Sequence, residues 1–244
     1  MKNPILLIAG ATLLAGAQAA SDVHWGYSGP EGPEHWGELS PEYRVCSEGK
    51  NQSPIDLSGF IEADLQPIAF TYQPGGGEVL NNGHTIQINY APGSQIAVGG
   101  HEFDLKQFHF HAPSENHIEG NFYPLEGHLV HADKDGNLAV VAVMFEEGAN
   151  NKALEEAWAK MPTKAGEKHT LSAPVDATGI LPNHRDYYRF NGSLTTPPCS
   201  EGVWWLVMKE PIAASKEQIA KFAKVMQHPT NRPVQPVNAR PVLK

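Results

Sequence analysis

Beyond its first twenty residues the chain has no apolar run approaching the roughly 20 residues that a bilayer-spanning helix needs, so stable membrane insertion is not expected. Positive charge is scarce as well. Eighteen lysines and arginines face 27 acidic residues, for a net charge of −9. Such a surface repels nucleic acid and anionic lipid, which removes both from the expected partners. Cysteine is almost missing: Cys46 and Cys199 leave room for one disulfide and no more. There is no internal repeat, low-complexity tract or composition shift that would mark a linker. With 244 residues and 41% hydrophobic content, one domain around one sizeable core is the expected organisation.

What is present begins with "MKNPILLIAGATLLAGAQAA". Lys2, an apolar run from Ile5 to Gly16 and the small residues Ala17 and Ala19 read as a secretory signal peptide. Residues 1–20 would be removed and 21–244 would form the domain, periplasmic or secreted. Loss of Lys2 takes the charge from −9 to −10. Export also delivers Cys46 and Cys199 to an oxidising compartment, where pairing with each other is expected over two free thiols.

Short alternating or apolar runs recur between turn signals: "EVLNNGHTIQINYA", "QIAVGGHEFDLKQFHFH", "LEGHLVHADKDGNLAVVAVMF" and "GVWWLVMK". They predict a predominantly β (α+β) domain, built on a large and mainly antiparallel central sheet with peripheral helices. "GG" at 99–100 and "KDGN" at 134–137 supply hairpin turns. Helical spacing occurs twice, in Leu154, Ala157, Trp158 and Met161, and in Ile219, Phe222, Ala223 and Met226. Ser215 and Gln218 form a capping box at the start of the second helix.

In a strand, residues two apart share a face, so "QFHFH" at 107–111 sends His109 and His111 to one side and Phe108 and Phe110 to the other. Two imidazoles on one face invite a metal. His128, on the next strand, supplies a third, whereas His131 lies an odd number of residues further and belongs to the core or behind the ligands. Three neutral imidazoles leave a fourth tetrahedral position open, as in catalytic zinc sites. Gln107 and Glu126 each precede a ligand by two residues and share its face, where they can accept the spare ring N–H. His109, His111 and Glu115 also satisfy the H-x-H-x3-E pattern of cupins, but that motif wants glycine six residues before its first histidine, and Phe103 stands there.

Seven blocks in order, "HWGY", "NQSPIDL", "NNGH", "QFHFHAPSEN", "EGHLVHAD", "LAVV" and "NGSLTTPPCSEGVWWLV", followed by "NRPVQPVNAR", resemble the exported bacterial α-class carbonic anhydrases over nearly the whole mature chain. The resemblance implies zinc-dependent reversible hydration of carbon dioxide to bicarbonate and a proton, with zinc hydroxide as nucleophile. It implies that Thr195 and Glu115 orient that nucleophile and that Val130, Val140, Leu194, Val203 and Trp205 form an apolar wall for the substrate, with Thr196 near the mouth. His84 is implied as proton shuttle, suited by an unperturbed pKa near ~6.5, with Tyr27, Asn82 and Gln87 ordering water. Two departures concern the rim: "APSEN" follows His111 without the tryptophan and extra loop of many animal members, and Phe190 stands where those have tyrosine. A catalytically silent binding protein of the same fold is the alternative, although silent relatives typically lack a zinc ligand. The resemblance leaves open whether the chain forms a homodimer.

The leader reading is checked by intact mass: exported protein should begin at Ala20 or Ser21, and a mass that retains residues 1–19 would refute it.

Overall fold

The computed structural model describes residues 23–244, so the expected leader and its cleavage point lie outside the described residues. Thirteen strands are present among these residues: β1 (Asp56–Leu57), β2 (Ala69–Thr71), β3 (Gly76–Asn81), β4 (Ile86–Tyr90), β5 (Gln95–Val98), β6 (His101–His111), β7 (His117–Ile118), β8 (Leu125–Ala132), β9 (Leu138–Glu147), β10 (Lys168–Val175), β11 (Tyr187–Ser193), β12 (Glu201–Met208) and β13 (Ile212–Ala214). The α-helices are short and peripheral: α1 (Trp36–Leu39), α2 (Val45–Glu48), α3 (Glu155–Ala159) and α4 (Lys216–Met226).

Eleven strands join one sheet whose main order is β10-β3-β4-β6-β8-β9-β12-β11. The two longest strands each carry two partners along the same edge. β6 pairs with β4 at its C-terminal half and with β5 at its N-terminal half. β9 likewise pairs with β12 and then β13. Both expected hairpins form. Gly99 and Gly100 hold positive φ in the β5–β6 turn, and Gly136 does so between β8 and β9, where a side chain would be strained.

Most pairings are antiparallel, as the alternation predicts, but β12 and β13 run parallel to β9. The chain leaves β9 through α3, forms β10 at the far edge of the sheet, and returns through β11, so β12 arrives beside β9 in the same direction. β9 thus has neighbours on both sides and core on both faces, which fits its unbroken apolar run "LAVVAVMF". Val141, Val143 and Phe145 enter one core with Phe108, Phe110, Leu129, Trp158 and Phe222. Val140, Ala142 and Met144 enter the other with Phe190, Val203 and Trp205.

The first helical stripe buries Leu154, Ala157, Trp158 and Met161 as expected, although only Glu155–Ala159 is α-helix and a 3-10 turn (Lys152–Leu154) precedes it. The second stripe is rotated. Ala223 is exposed, and Gln218 is buried instead. Gln218 has its polar atoms occupied: Oε1 accepts from Asn151 N–H (2.8 Å) and Ser215 N–H (3.1 Å), and Nε2 donates to Asn151 O (2.9 Å). The capping box of α4 is therefore present, and its glutamine also fastens the helix to the loop before α3.

His131 lies in the core opposite the other histidines, fully buried, with Nε2 2.6 Å from the Tyr72 hydroxyl. Burial holds its pKa down to about 4, against ~6.5 in an unfolded chain. Between these values the unfolded state binds more protons. The stabilisation from a neutral His131 is thus complete above pH ~6.5 and is lost as the pH falls to about 4. It amounts to about 3 kcal/mol. In urea denaturation, the stability advantage of the natural protein over His131→Leu should shrink by about that much between pH ~7 and pH ~4. A pH-independent advantage would show that the ring is not held neutral.

Candidate metal centre

The centre is built on the β6–β8 ladder. Its register sets His109 directly opposite His128 and His111 opposite Glu126. The period of two then brings all three imidazoles to one face, while Phe108 and Phe110 go fully into the core behind. One ring nitrogen from each histidine lies within 4.8 Å of the other two, and among the described residues this is the sole such cluster of potential metal ligands.

The far nitrogen of each ring has a different kind of acceptor beside it. His109 Nδ1 donates to Gln107 Oε1 (2.9 Å) and His111 Nδ1 donates to the Thr230 carbonyl (2.5 Å). Glu126 Oε1 lies 2.9 Å from His128 Nε2, close in distance but off the N–H line. Nε2 of His109 and of His111 and Nδ1 of His128 are left facing the shared space. His111 Nε2 is buried and accepts from no protein donor. Burial and mutual repulsion hold the pKa of His109 and His128 well below the ordinary histidine value, and burial lowers that of His111. Three neutral, oriented imidazoles with converging lone pairs fit a divalent metal such as zinc.

Two buried carboxylates lie close to the rings, Glu126 on the far side of His128 and Glu115 near the shared space. Glu126 Oε2 accepts from the N–H groups of Glu115 (2.6 Å) and Asn116 (2.9 Å), and Oε1 accepts from Asn116 Nδ2 (2.8 Å). Glu115 is fully buried, with Oε2 3.5 Å from His111 Nε2. Burial pushes its pKa well up, opposed by the Arg232 N–H on Oε1 (2.8 Å) and by a hydrogen bond from the Thr195 side chain.

Thr195 lies in the loop between β11 and β12, and that loop is fastened at several points. Cys199, at φ +57°, is disulfide-bonded to Cys46, so the expected bridge is present. Ser53 and Ser193 exchange backbone-to-hydroxyl bonds, Gln52 Nε2 donates to the Cys199 carbonyl, and Trp205 Nε1 donates to the Ser193 carbonyl. Val140, Val203 and Trp205 are buried together, with Val130 and Leu194 packed against them, and Trp205 meets His128 edge-on at 4.9 Å. All five expected wall residues thus gather on the histidine side of the sheet. Thr196 is half-buried beside Thr195.

At the rim, Gln87 pairs with His109 across β4 and β6, and its Nε2 donates to Asn89. Asn82 Oδ1 is engaged in a turn, accepting from the N–H groups of His84 and Thr85. The Tyr27 hydroxyl is buried, pairs with no protein group, and feels the charge of Glu115. His84 differs from the expectation in one respect. Its ring stacks on Trp25 with centroids 3.7 Å apart, and burial, followed by the charges of His24 and His228, lowers its pKa to about 4.

Sequence reasoning missed Thr230, Asn116 and Arg232. The first acts through a backbone carbonyl, which leaves no residue-type signal. Arg232 is almost wholly buried and donates to Gln52 Oε1, the Ser53 carbonyl and the Cys46 carbonyl. A lone arginine in a proline-rich tail shows no period from which to infer this.

A wide β-sheet that presents three histidines, backed by buried carboxylates and an apolar wall, defines a metalloenzyme-type centre. The sequence profile of the eukaryotic-type carbonic anhydrases matches residues 31–244. A carbonic anhydrase of Pectobacterium carotovorum is 46% identical over 243 residues, covering all of both chains. The α-carbonic anhydrase of Thermovibrio ammonificans, solved with the inhibitor sulfanilamide, is 54% identical with a TM-score of 0.90, over 91% of this chain and 99% of that one. Dioscorin, solved in complex with ascorbate, is 31% identical with a TM-score of 0.84, over 90% and 97%. The chain belongs to the carbonic anhydrase family, in its α class, and is an enzyme of that kind.

Proposed function

We propose that this chain catalyses the reversible hydration of carbon dioxide to bicarbonate and a proton, with zinc held by His109, His111 and His128. The observation that carries the reading is the convergence of three ring nitrogens whose opposite nitrogens all have neighbouring acceptors. Zinc, when bound, supplies a Lewis acid that makes water acidic enough to act as a nucleophile near neutral pH, a chemistry for which carbonic anhydrases are the standard example.

Gln107, Glu126 and the Thr230 carbonyl keep the rings in one tautomer and one orientation. Thr195 donates its hydroxyl hydrogen bond to Glu115, which leaves that oxygen able only to accept from the reacting side, so the nucleophile is turned toward the substrate. Carbon dioxide, apolar and short of hydrogen-bonding capacity, lodges against Val130, Val140, Leu194, Val203 and Trp205, with Thr196 at the mouth. His84 passes the released proton outward, with Tyr27 and Gln87 ordering solvent between it and the centre. Asn82 contributes by fixing the turn that holds His84.

A second reading, a catalytically silent binding protein on the same fold, draws on the binding of ascorbate by dioscorin. The complete histidine set together with Glu115 and Thr195 weighs against it. Export to the periplasm or beyond is supported by the leader and agrees with the disulfide. No helix among the described residues is long and apolar enough to cross a membrane.

Purified protein should carry about one zinc per chain by metal analysis. His128→Ala should lose most of it on dialysis, whereas His131→Ala should keep it. The opposite pattern would mean that the third ligand is misassigned.

Thr195→Ala should lower kcat/KM for carbon dioxide hydration by roughly 10²-fold with zinc content unchanged. Hydration at the natural rate in this variant would remove Thr195 from the mechanism, and no hydration by the zinc-loaded natural protein would favour the silent reading.

A further inference from the structure

The main sheet order ends at β11, and the C-terminal segment covers that edge at one pairing, where Arg189 and Leu243 exchange backbone hydrogen bonds at 3.0 and 2.9 Å. Beside that crossing lies a cavity of about 520 Å³, a size suited to a small molecule. Phe190, Pro241 and Leu243 give it apolar surface, and Arg189, Arg240 and Lys50 give it positive charge. The chain carries 27 acidic residues against 18 lysines and arginines, yet no carboxylate lines this cavity. By contrast, a cavity beside Lys244 takes in Glu62, Asp64 and Asp186.

Nor are the cations neutralised from outside the cavity. Among the described residues no carboxylate stands within salt-bridge distance of Arg189, Arg240 or Lys50. Glu201, whose charge does bear on Arg240, accepts instead from the Asn51 N–H (2.7 Å) and Gln52 Nε2 (3.1 Å). Arg240 is fixed in place, because Nε, Nη1 and Nη2 donate to the carbonyls of Val237, Asn191 and Pro236. One N–H remains on each Nη. The Arg189 guanidinium lies over the Trp204 ring at 4.3 Å, and among the described residues no protein group accepts from it. A planar fork of donors, held by stacking and lacking an acceptor, matches a carboxylate, which can take two parallel hydrogen bonds.

We propose that this cavity binds a small organic anion, a carboxylate carried on a flat apolar body. Arg189 takes the carboxylate, Arg240 and Lys50 add positive charge, and the apolar body lies against Phe190 and Leu243. An inorganic anion would leave that apolar surface wet, and a neutral apolar molecule would leave the guanidinium without an acceptor. Phe190 stacks on Trp205 with centroids 5.8 Å apart, and Trp205 in turn meets His128. Two rings thus separate the cavity from the histidines, and binding there does not depend on the carbon dioxide hydration proposed above.

Benzoate is the probe, added to isotope-labelled, zinc-loaded protein and followed by amide NMR. Saturable shifts should appear at Arg189, Asn191 and Ala239, whereas binding at the metal centre would move Thr195 and Thr196. Arg189→Gln should weaken benzoate binding at least about tenfold, and Arg189→Lys, which keeps the charge without the fork, should weaken it less. Ala239→Trp, which fills the cavity and leaves its charges in place, should abolish the shifts. Benzyl alcohol and bicarbonate should each bind at least about tenfold more weakly than benzoate.

The proposal is overturned if benzoate gives no saturable shifts or moves Thr195 and Thr196 alone. Natural affinity in Arg189→Gln, or benzyl alcohol binding as well as benzoate, overturns it by removing the charge from recognition. Equal binding of bicarbonate overturns it too, since the apolar surface would then contribute nothing. Should Arg189→Gln lose its fold with its contact to Trp204, Ala239→Trp and the ligand series decide the outcome.

Discussion

Three imidazoles with converging nitrogens within 4.8 Å of one another are held as neutral rings, and that constraint organises the rest of the molecule. A protonated ring there would meet two neighbours and, at His111 and His128, almost no solvent. Neutrality in turn requires that each ring present a chosen nitrogen, so every far nitrogen needs an acceptor placed for it. The β6–β8 register provides Gln107 and Glu126, because both share the ligands' face. The third acceptor, the Thr230 carbonyl, has to be brought in from outside the sheet.

That requirement explains why so much polar structure is buried behind the centre. Arg232 follows Thr230 closely, and its backbone N–H and guanidinium clamp Glu115, Gln52, Ser53 and Cys46 together. Gln52 and the disulfide reach in turn to Cys199, which fixes the Thr195 loop. The histidine rings and the Thr195 loop are thus positioned by one connected network, not by separate supports. In such a network, removal of one member leaves buried partners unpaired, which costs more than the bond itself.

The parts of this arrangement that follow local periodicity were legible in the chain. Alternation in "QFHFH" assigns the histidines and phenylalanines to opposite faces, and the short connection to "EGHLVH" allows His128 to stand opposite His109. Glu126 and Gln107 follow from the same period, and His131 falls on the core side by parity. What escaped depends on contacts between distant segments. The parallel arrival of β12 and β13 is set by the excursion through β10, not by anything in "GVWWLVMK". Gln218 is buried because Asn151 completes its hydrogen bonds, which apolar spacing cannot anticipate. The lowered pKa of His84 comes from burial, in a setting where its ring stacks on Trp25, and then from the charges of His24 and His228, none of them its neighbour in sequence. The Thr195 and Glu115 pair and the apolar wall were legible only through family resemblance, since each residue read singly is an ordinary loop or core residue.

The order in which these pieces occur along the chain has a bearing on biogenesis. Thr230 and Arg232 come after every strand of the sheet, so vectorial synthesis or translocation delivers the last acceptor and the clamp only when all thirteen strands have already emerged. Until then His111 lacks its carbonyl and Glu115 its N–H partner, and a half-made chain presents histidines without the tautomer that metal capture requires. On the proposed reading, metal loading is tied to completion of the fold: a chain interrupted before this segment would carry all three histidines and still lack the means to orient them.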